Sequence, residues 1–328
     1  MPRRPAPARR ALLAAPLLLL PAAARAQAWQ PSRPLRLIVP FAPGGSTDVG
    51  GRILAERMSE TIGQSVVVEN RTGAGGAVGI EAAARSAPDG HTLLVATNGA
   101  FTLAPHLGLM RAVDVRRELV MASKLFTTDV ILVVNPALPV QTIAEFLAYA
   151  RARPGQLSFG SSGVGTGTHI FTELFMAEAG IRMVHVPYRG SGQAMADIVS
   201  GTIQVMLDQP ASSLPQVRQG RLRALATSGP RRIAVLPDLP TFAEAGLPGA
   251  TAQSWGAIAL PAGSPPAALA RISEAVREAV AHRPTAERMA AAGLDAVGST
   301  PEEMEAFVAA EFERWGRVIR ERNIRLEG

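Results

Sequence analysis

At 328 residues, 47% of them apolar and 18% charged, the chain has enough material for two folded lobes, and its 31 glycines and 26 prolines mark turns rather than disorder. It contains no cysteine, which excludes disulfides, thiolate-held zinc or iron–sulfur centres, a cysteine nucleophile and a thioether-linked lipid anchor. The formal charge of +6 arises at the N-terminus: residues 1–28 carry five arginines and no acid, so the remainder has a net charge of only +1 and lacks the basic footprint of a nucleic-acid binder.

Residues 1–28 have the three parts of a secretory signal peptide. Arg3, Arg4, Arg9 and Arg10 precede an apolar run over 11–24, and small residues follow at cleavage spacing, Ala24-Arg25-Ala26 or Ala26-Gln27-Ala28. Pro16 and Pro21 break the run, which is too short to span a bilayer. The Arg9-Arg10 pair raises the twin-arginine route. The chain, however, uses arginine almost everywhere, Lys124 being its only lysine, so the general secretory route is favoured. The expected location is the periplasm.

Beyond the leader, strands and helices alternate. The apolar run 35–41 reads as a buried strand ended by Pro43-Gly44-Gly45, and Ser46-Thr47-Asp48 opens a helix that carries Ile53, Leu54, Met58 and Ile62 at helical spacing up to Gly63. A strand at 66–68, a glycine-rich loop at 70–76, a helix at 77–86 and a strand at 92–96 follow. Further strands are predicted at 130–134, 157–159, 183–186, 205–207 and 222–226, with helices near 142–152, 167–179, 190–200 and 211–219 between them. After a strand at 255–260 the pattern becomes helical, at 265–281, 285–292 and 301–322. Continuous apolar strands separated by helices predict an α/β fold with parallel sheets covered on both faces. Two extended, proline-ended runs, 133–136 and 254–261, are predicted as crossovers between lobes. They divide the chain into lobe 1, residues 29–134 plus 255–328, and an inserted lobe 2, residues 135–254, with a ligand cleft between them.

Two strand-to-helix turns carry candidate binding chemistry: 41–48, with Pro43, Gly44, Gly45, Ser46 and Asp48, and 161–169, with Ser161, Ser162, Gly165, Thr166 and His169. Glycine admits close backbone approach, and the first amides of a helix are unpaired donors at the positive end of its dipole. One such turn on each lobe points to a carboxylate or other oxyanion site that needs no full positive charge. A third turn, 186–192, contributes Tyr188 and Arg189. They either cover the cleft and pair with a second ligand carboxylate, or form a surface arginine beside a tyrosine packed across the hinge. Asn98 and Asp208, at strand ends, point to the cleft edge.

Enzyme readings fail individually. The only lysine lies outside any glycine loop, the glycine runs at 73–78 and 163–168 lack the third glycine of a dinucleotide fingerprint, and 160–164 lacks the second glycine of a nucleophile elbow. His169 and Glu173, four apart on one helix, have no third ligand and read as a surface contact rather than a metal site. No cofactor or metal is expected.

In order along the chain stand Pro34-Leu35-Arg-Leu-Ile-Val-Pro40-Phe41-x-Pro43-Gly44-Gly45-x-x-Asp48, Glu69-Asn70-Arg71-x-Gly73-Ala74-Gly75-Gly76, Pro88-Asp89-Gly90-His91-Thr92-Leu93, Ser161-Ser162-Gly163-x-Gly165-Thr166-x-x-His169 and Val186-Pro187-Tyr188-Arg189-Gly190. With the leader, this series resembles the Bug family of extracytoplasmic solute receptors, the binding components of tripartite tricarboxylate transporters. The resemblance implies a two-lobed periplasmic-binding-protein fold of the type II Venus-flytrap kind, acting without catalysis. It implies a carboxylated ligand held by the turns at 43–48 and 161–169, often through bridging waters. The implied partners are the large and small membrane subunits of a secondary transporter, with a membrane sensor kinase as the alternative, and the protein is expected to act as a monomer. Residues 107–124 depart from the family's pattern.

Overall fold

The computed structural model describes residues 29–325; the expected leader, residues 1–28, lies outside them. The buried apolar runs anticipated above form two separate sheets. In lobe 1, β1 (Leu35–Val39), β2 (Val66–Asn70), β3 (Thr92–Thr97), β4 (Leu119–Asp129), β10 (Gln253–Pro261) and β11 (Asp295–Ala296) assemble in the order β11-β4-β10-β3-β1-β2. In lobe 2, β5 (Ile131–Val134), β6 (Ser158–Ser161), β7 (Val184–Pro187), β8 (Val205–Asp208) and β9 (Arg223–Thr227) assemble as β7-β6-β8-β5-β9. Strands joined by helical crossovers pair in parallel, β1 with β2 and β3, and β6 with β7 and β8. The strands that carry the chain between lobes pair antiparallel: β10 with β3 and β4, and β5 with β8 and β9.

Helices α1 (Ser46–Ile62), α2 (Ala77–Ala84), the single turn α3 (Val115–Glu118), α8 (Pro266–Ala281) and α9 (Arg283–Ala291) accompany the first sheet. Helices α4 (Ile143–Arg151), α5 (Gly167–Ala179), α6 (Ser191–Ser200) and α7 (Pro210–Arg218) cover the second. Apolar side chains fill both faces of each sheet. Leu37, Leu54, Phe126 and Ile272 sit on one side of the first sheet and Ile38, Phe101 and Trp255 on the other. Phe146, Phe159 and Phe175 sit on one side of the second, with Val133, Ile198 and Met206 on the other.

The structure differs from the sequence reading in three places. The strand β4, eleven residues long and inside the sheet, has no counterpart in the sequence reading; it begins within the segment expected to depart from pattern, and its mixed Ser123-Lys124 and Thr127-Thr128 content hides its strand character. The first crossover lies at Val130, not at 133–136: Ile131–Val134 is flanked by β8 and β9 and belongs wholly to the second sheet, as its unbroken burial requires. The second lies just before Gln253, two residues ahead of the expected lobe boundary. Ser228 stitches the two crossovers together. Its Oγ accepts from the Val130 amide (3.0 Å) and donates to the Ala252 carbonyl (2.7 Å), while its amide donates to the Val130 carbonyl (2.9 Å).

Third, the C-terminus does not belong to lobe 1 alone. The 21-residue α10 (Pro301–Glu321) is opened by a capping box between Thr300 and Glu303. At about 1.5 Å per residue it is long enough to reach both lobes. Met304 and Val308 enter the lobe 1 core, whereas Trp315 and Ile319 enter that of lobe 2.

Candidate functional site

The ends of β1, β3, β6 and β8 face one another across the hinge and enclose a cavity. It is lined from lobe 1 by Phe41, Gly45, Ser46, Thr47, Thr97, Asn98, Phe126, Ser254 and Trp255, and from lobe 2 by Ser162, Thr166, Gly167, Ser191 and Gln209. Its volume of about 30 Å³ holds about two waters. The two lobes meet closely around it. Across the seam the Ala42 amide donates to the Arg189 carbonyl at 3.2 Å, and a Cβ on Gly163 would stand 3.1 Å from the Gly75 Cα.

Four helices begin at this cavity. The residues before α1, α5, α6 and α7 (Gly45, Thr166, Gly190 and Gln209) make no side-chain capping bond. Their starts thus turn the positive ends of four helix dipoles to the cavity, with unpaired leading amides in α1, α5 and α6 but none from Pro210, which opens α7. The lining has no charged side chain. Within it, Ser46 Oγ, Asn98 Nδ2 and Trp255 Nε1 are buried with no hydrogen-bond partner among the described residues. All three can donate. An acceptor-rich, anionic group suits this environment; a cation finds nothing to offset its charge.

Of the fourteen residues singled out from sequence, Gly45, Ser46, Asn98, Ser162 and Thr166 line the cavity. Arg189 is exposed and meets the seam only through its carbonyl, and the other eight stand behind the cavity. Pro43 and Gly44 form the turn itself, Gly44 at φ +92°. Asp48 is turned back. Its carboxylate accepts from the Gly44 amide (3.1 Å), Arg52 Nε (3.0 Å) and Asn70 Nδ2 (2.9 Å), holding the first turn in shape. Burial works against that charge, but the bonds from Arg52, Asn70 and Gly44 prevail and keep the carboxyl below its usual range.

The second turn is braced in the same way. Its Gly165 amide donates to His169 Nδ1 at 3.2 Å, and Ser161 Oγ meets His185 Nε2 at 2.7 Å. The two imidazoles stack with centroids 3.7 Å apart. Burial, and then the neighbouring His169, hold the His185 pKa down to about 3, so that ring is neutral. His169 is buried rather than on the surface, and its Nε2 lies 3.6 Å from Glu173. The Tyr188 hydroxyl donates to Asp197 at 2.6 Å and is spent within lobe 2.

A family model described as "Tripartite tricarboxylate transporter family receptor" matches residues 51–324. The chain belongs to this receptor family. It is 38% identical over 299 residues to the protein BugT of Bordetella pertussis, covering 90% of this chain and 91% of that one. Among solved structures, an R. palustris protein with adipate is similar at TM-score 0.86 and 32% identity, covering 90% of this chain and 99% of that one. MatC from Rhodopseudomonas palustris with bound malate is similar at TM-score 0.83 and 29% identity, covering 88% and 99%. The receptor has the two-lobed α/β Venus-flytrap fold of periplasmic binding proteins. Its family is one of solute receptors rather than enzymes. Among the described residues no helix is long and apolar enough to cross a membrane, and no cluster of three or more His, Asp or Glu is placed to hold a metal.

Asp208 is the receptor's buried brace on the lobe 2 side. Its carboxylate accepts from Ser191 Oγ at 2.5 Å and from Ser212 Oγ, which fixes a hydroxyl of the cavity wall. Complete burial dominates over these bonds and raises its pKa to about 6. The folded receptor therefore keeps a proton that the unfolded chain releases near pH 3.8. The stabilisation is full below that pH and is lost as pH rises through 6, a change of about 3 kcal/mol. The urea stability of the wild type relative to Asp208→Asn is accordingly expected to fall between about pH 4 and pH 7. A difference that stays constant across that window contradicts the assignment.

Several of the lining residues that sequence missed lie beside those it found. Thr97 and Gln209 adjoin Asn98 and Asp208, so the strand-terminus argument reached their neighbours. Ser191 follows Gly190 in the third turn. Phe126, Ser254 and Trp255 carried no local signal.

Proposed function

We propose that this receptor captures a small carboxylate between its lobes and delivers it to the membrane subunits of a tripartite tricarboxylate transporter. It would act in the periplasm as a monomer, after removal of residues 1–28. The reading is carried by the cavity's chemistry: four uncapped helix starts and three unpartnered donors around an uncharged lining. The relatives solved with adipate and malate point the same way. Glycine turns from both lobes would hold the acid, with Asp48 and His169 keeping those turns in shape. Because both lobes contribute, the acid binds the closed state better than the open one and shifts the population toward it. No nucleophile, base and orienter converge at the cavity, which favours binding without chemistry.

The test is a thermal-shift screen of mature protein, unfolded and refolded to strip any carried ligand, against carboxylic acids, amino acids and uncharged analogues. At about 100 times its dissociation constant a ligand adds ~2.7 kcal/mol to the folded state, a rise of several degrees at roughly 2–4 °C per kcal/mol. A rise with one carboxylate class supports the reading, and a rise only with uncharged compounds defeats it. Delivery is tested by uptake of the same acid into vesicles holding the two membrane subunits. Uptake that does not depend on the receptor rules delivery out.

A further inference from the structure

The three unpartnered donors are not equivalent. Ser46 stands at the start of α1, where an anchoring carboxylate would sit. Asn98 and Trp255 come from the ends of β3 and β10, beside the hinge, and each is only 2% exposed. The Asn98 amide has a fixed orientation. Its Oδ1 accepts from Ser254 Oγ at 3.1 Å, and that hydroxyl in turn accepts from Gln209 Nε2, at 3.3 Å, across the cleft from lobe 2. With Oδ1 engaged, Nδ2 is left without a partner. The amide is wedged against the start of α5, because a Cβ on Gly167 would stand 3.2 Å from Asn98 Oδ1. The Trp255 ring is held edge-on to Phe307, with centroids 5.8 Å apart, and its Nε1 has no partner. A rigid site that leaves buried donors unfilled rejects a ligand lacking the matching acceptor.

We propose that Asn98 Nδ2 and Trp255 Nε1 form a donor pair that reads a second oxygen of the ligand, beyond its anchoring carboxylate. Ser254 and Gln209 are positioning residues that keep the Asn98 amide in its donating orientation. The inference rests on the carboxylate-receptor reading and narrows it: the ligand is a hydroxy- or oxo-substituted acid.

The experiment is calorimetric titration of refolded mature protein with matched acids that differ by one hydroxyl: malate and succinate, lactate and propionate, mandelate and phenylacetate. The wild type is expected to prefer the hydroxylated member of the pair it binds by about 10- to 100-fold. Trp255→Phe keeps an aromatic ring at the site but removes the donor. It should lower affinity for the hydroxy acid at least 10-fold and leave its partner within about 2-fold. Ser254→Ala frees the Asn98 amide to turn and should cut the preference similarly. Because the readout is a ratio, a general loss of stability does not imitate the effect. Binding without discrimination by the wild type, or discrimination that survives in both variants, overturns the donor pair alone. If no acid of any pair binds the wild type, the carboxylate reading itself falls.

Discussion

Gly192→Ala is expected to weaken ligand binding about 100-fold while leaving the melting temperature unchanged or slightly raised. Gly192 lies in the first turn of α6, where its backbone is helical and no left-handed φ is required. Alanine is the better residue for a helix by up to about 1 kcal/mol, so lobe 2 loses nothing locally. The obstacle is on the other lobe. A Cβ at this position would be driven into the Pro43 carbonyl, closer than real Cβ atoms approach backbone. That carbonyl belongs to the turn before α1 and cannot yield without displacing Gly44 and Gly45. The clash exists only when the lobes are together, so the substitution penalises the closed state and not folding. If closing becomes harder by ~3 kcal/mol, apparent affinity falls by roughly two orders of magnitude. Calorimetry and a melting curve on one sample decide it. A lowered melting temperature with unchanged affinity would show that the seam does not govern closure.

Trp315→Ala should cost about 3–5 kcal/mol of stability, the usual penalty for emptying a buried aromatic site. The indole is 1% exposed, stacks on Phe171 of α5 at 5.2 Å between centroids, and donates from Nε1 to Glu311 at 3.0 Å. It is the anchor by which the second half of α10 grips lobe 2, after the first half has packed into lobe 1. The expected fall in melting temperature is on the order of 10 °C. Calorimetry should also show the unfolding transition broadening or splitting, as the lobes lose a shared helix and unfold less as one unit. A fall under about 2 °C would mean that α10 is only loosely docked on lobe 2.

Together these substitutions separate two properties of the hinge. Gly192 bears on how closely the lobes meet, and Trp315 on how firmly they are joined. Ser228, bonded to both crossovers, fixes the axis between them.

The sequence by itself determined the α/β class, the chain order of nearly all the strands and helices, and the turns that open α1, α5 and α6. These are local matters: an apolar run of strand length, a glycine turn at a helix start, a helical spacing of buried side chains. Tertiary structure decided what each residue faces. Ser161 and Ser162 are adjacent and chemically alike, yet the first turns inward to His185 and the second lines the cavity, because consecutive side chains of an extended segment point to opposite sides. Asp208 and Gln209 divide in the same way at the end of β8. Ser254 and Asn98 meet because β10 lies beside β3, more than 150 residues away in the chain. No window of sequence contains that adjacency. Hydrophobic periodicity records which side of an element is buried, but strand order and lobe closure bring particular donors to one point, and those depend on contacts between distant segments.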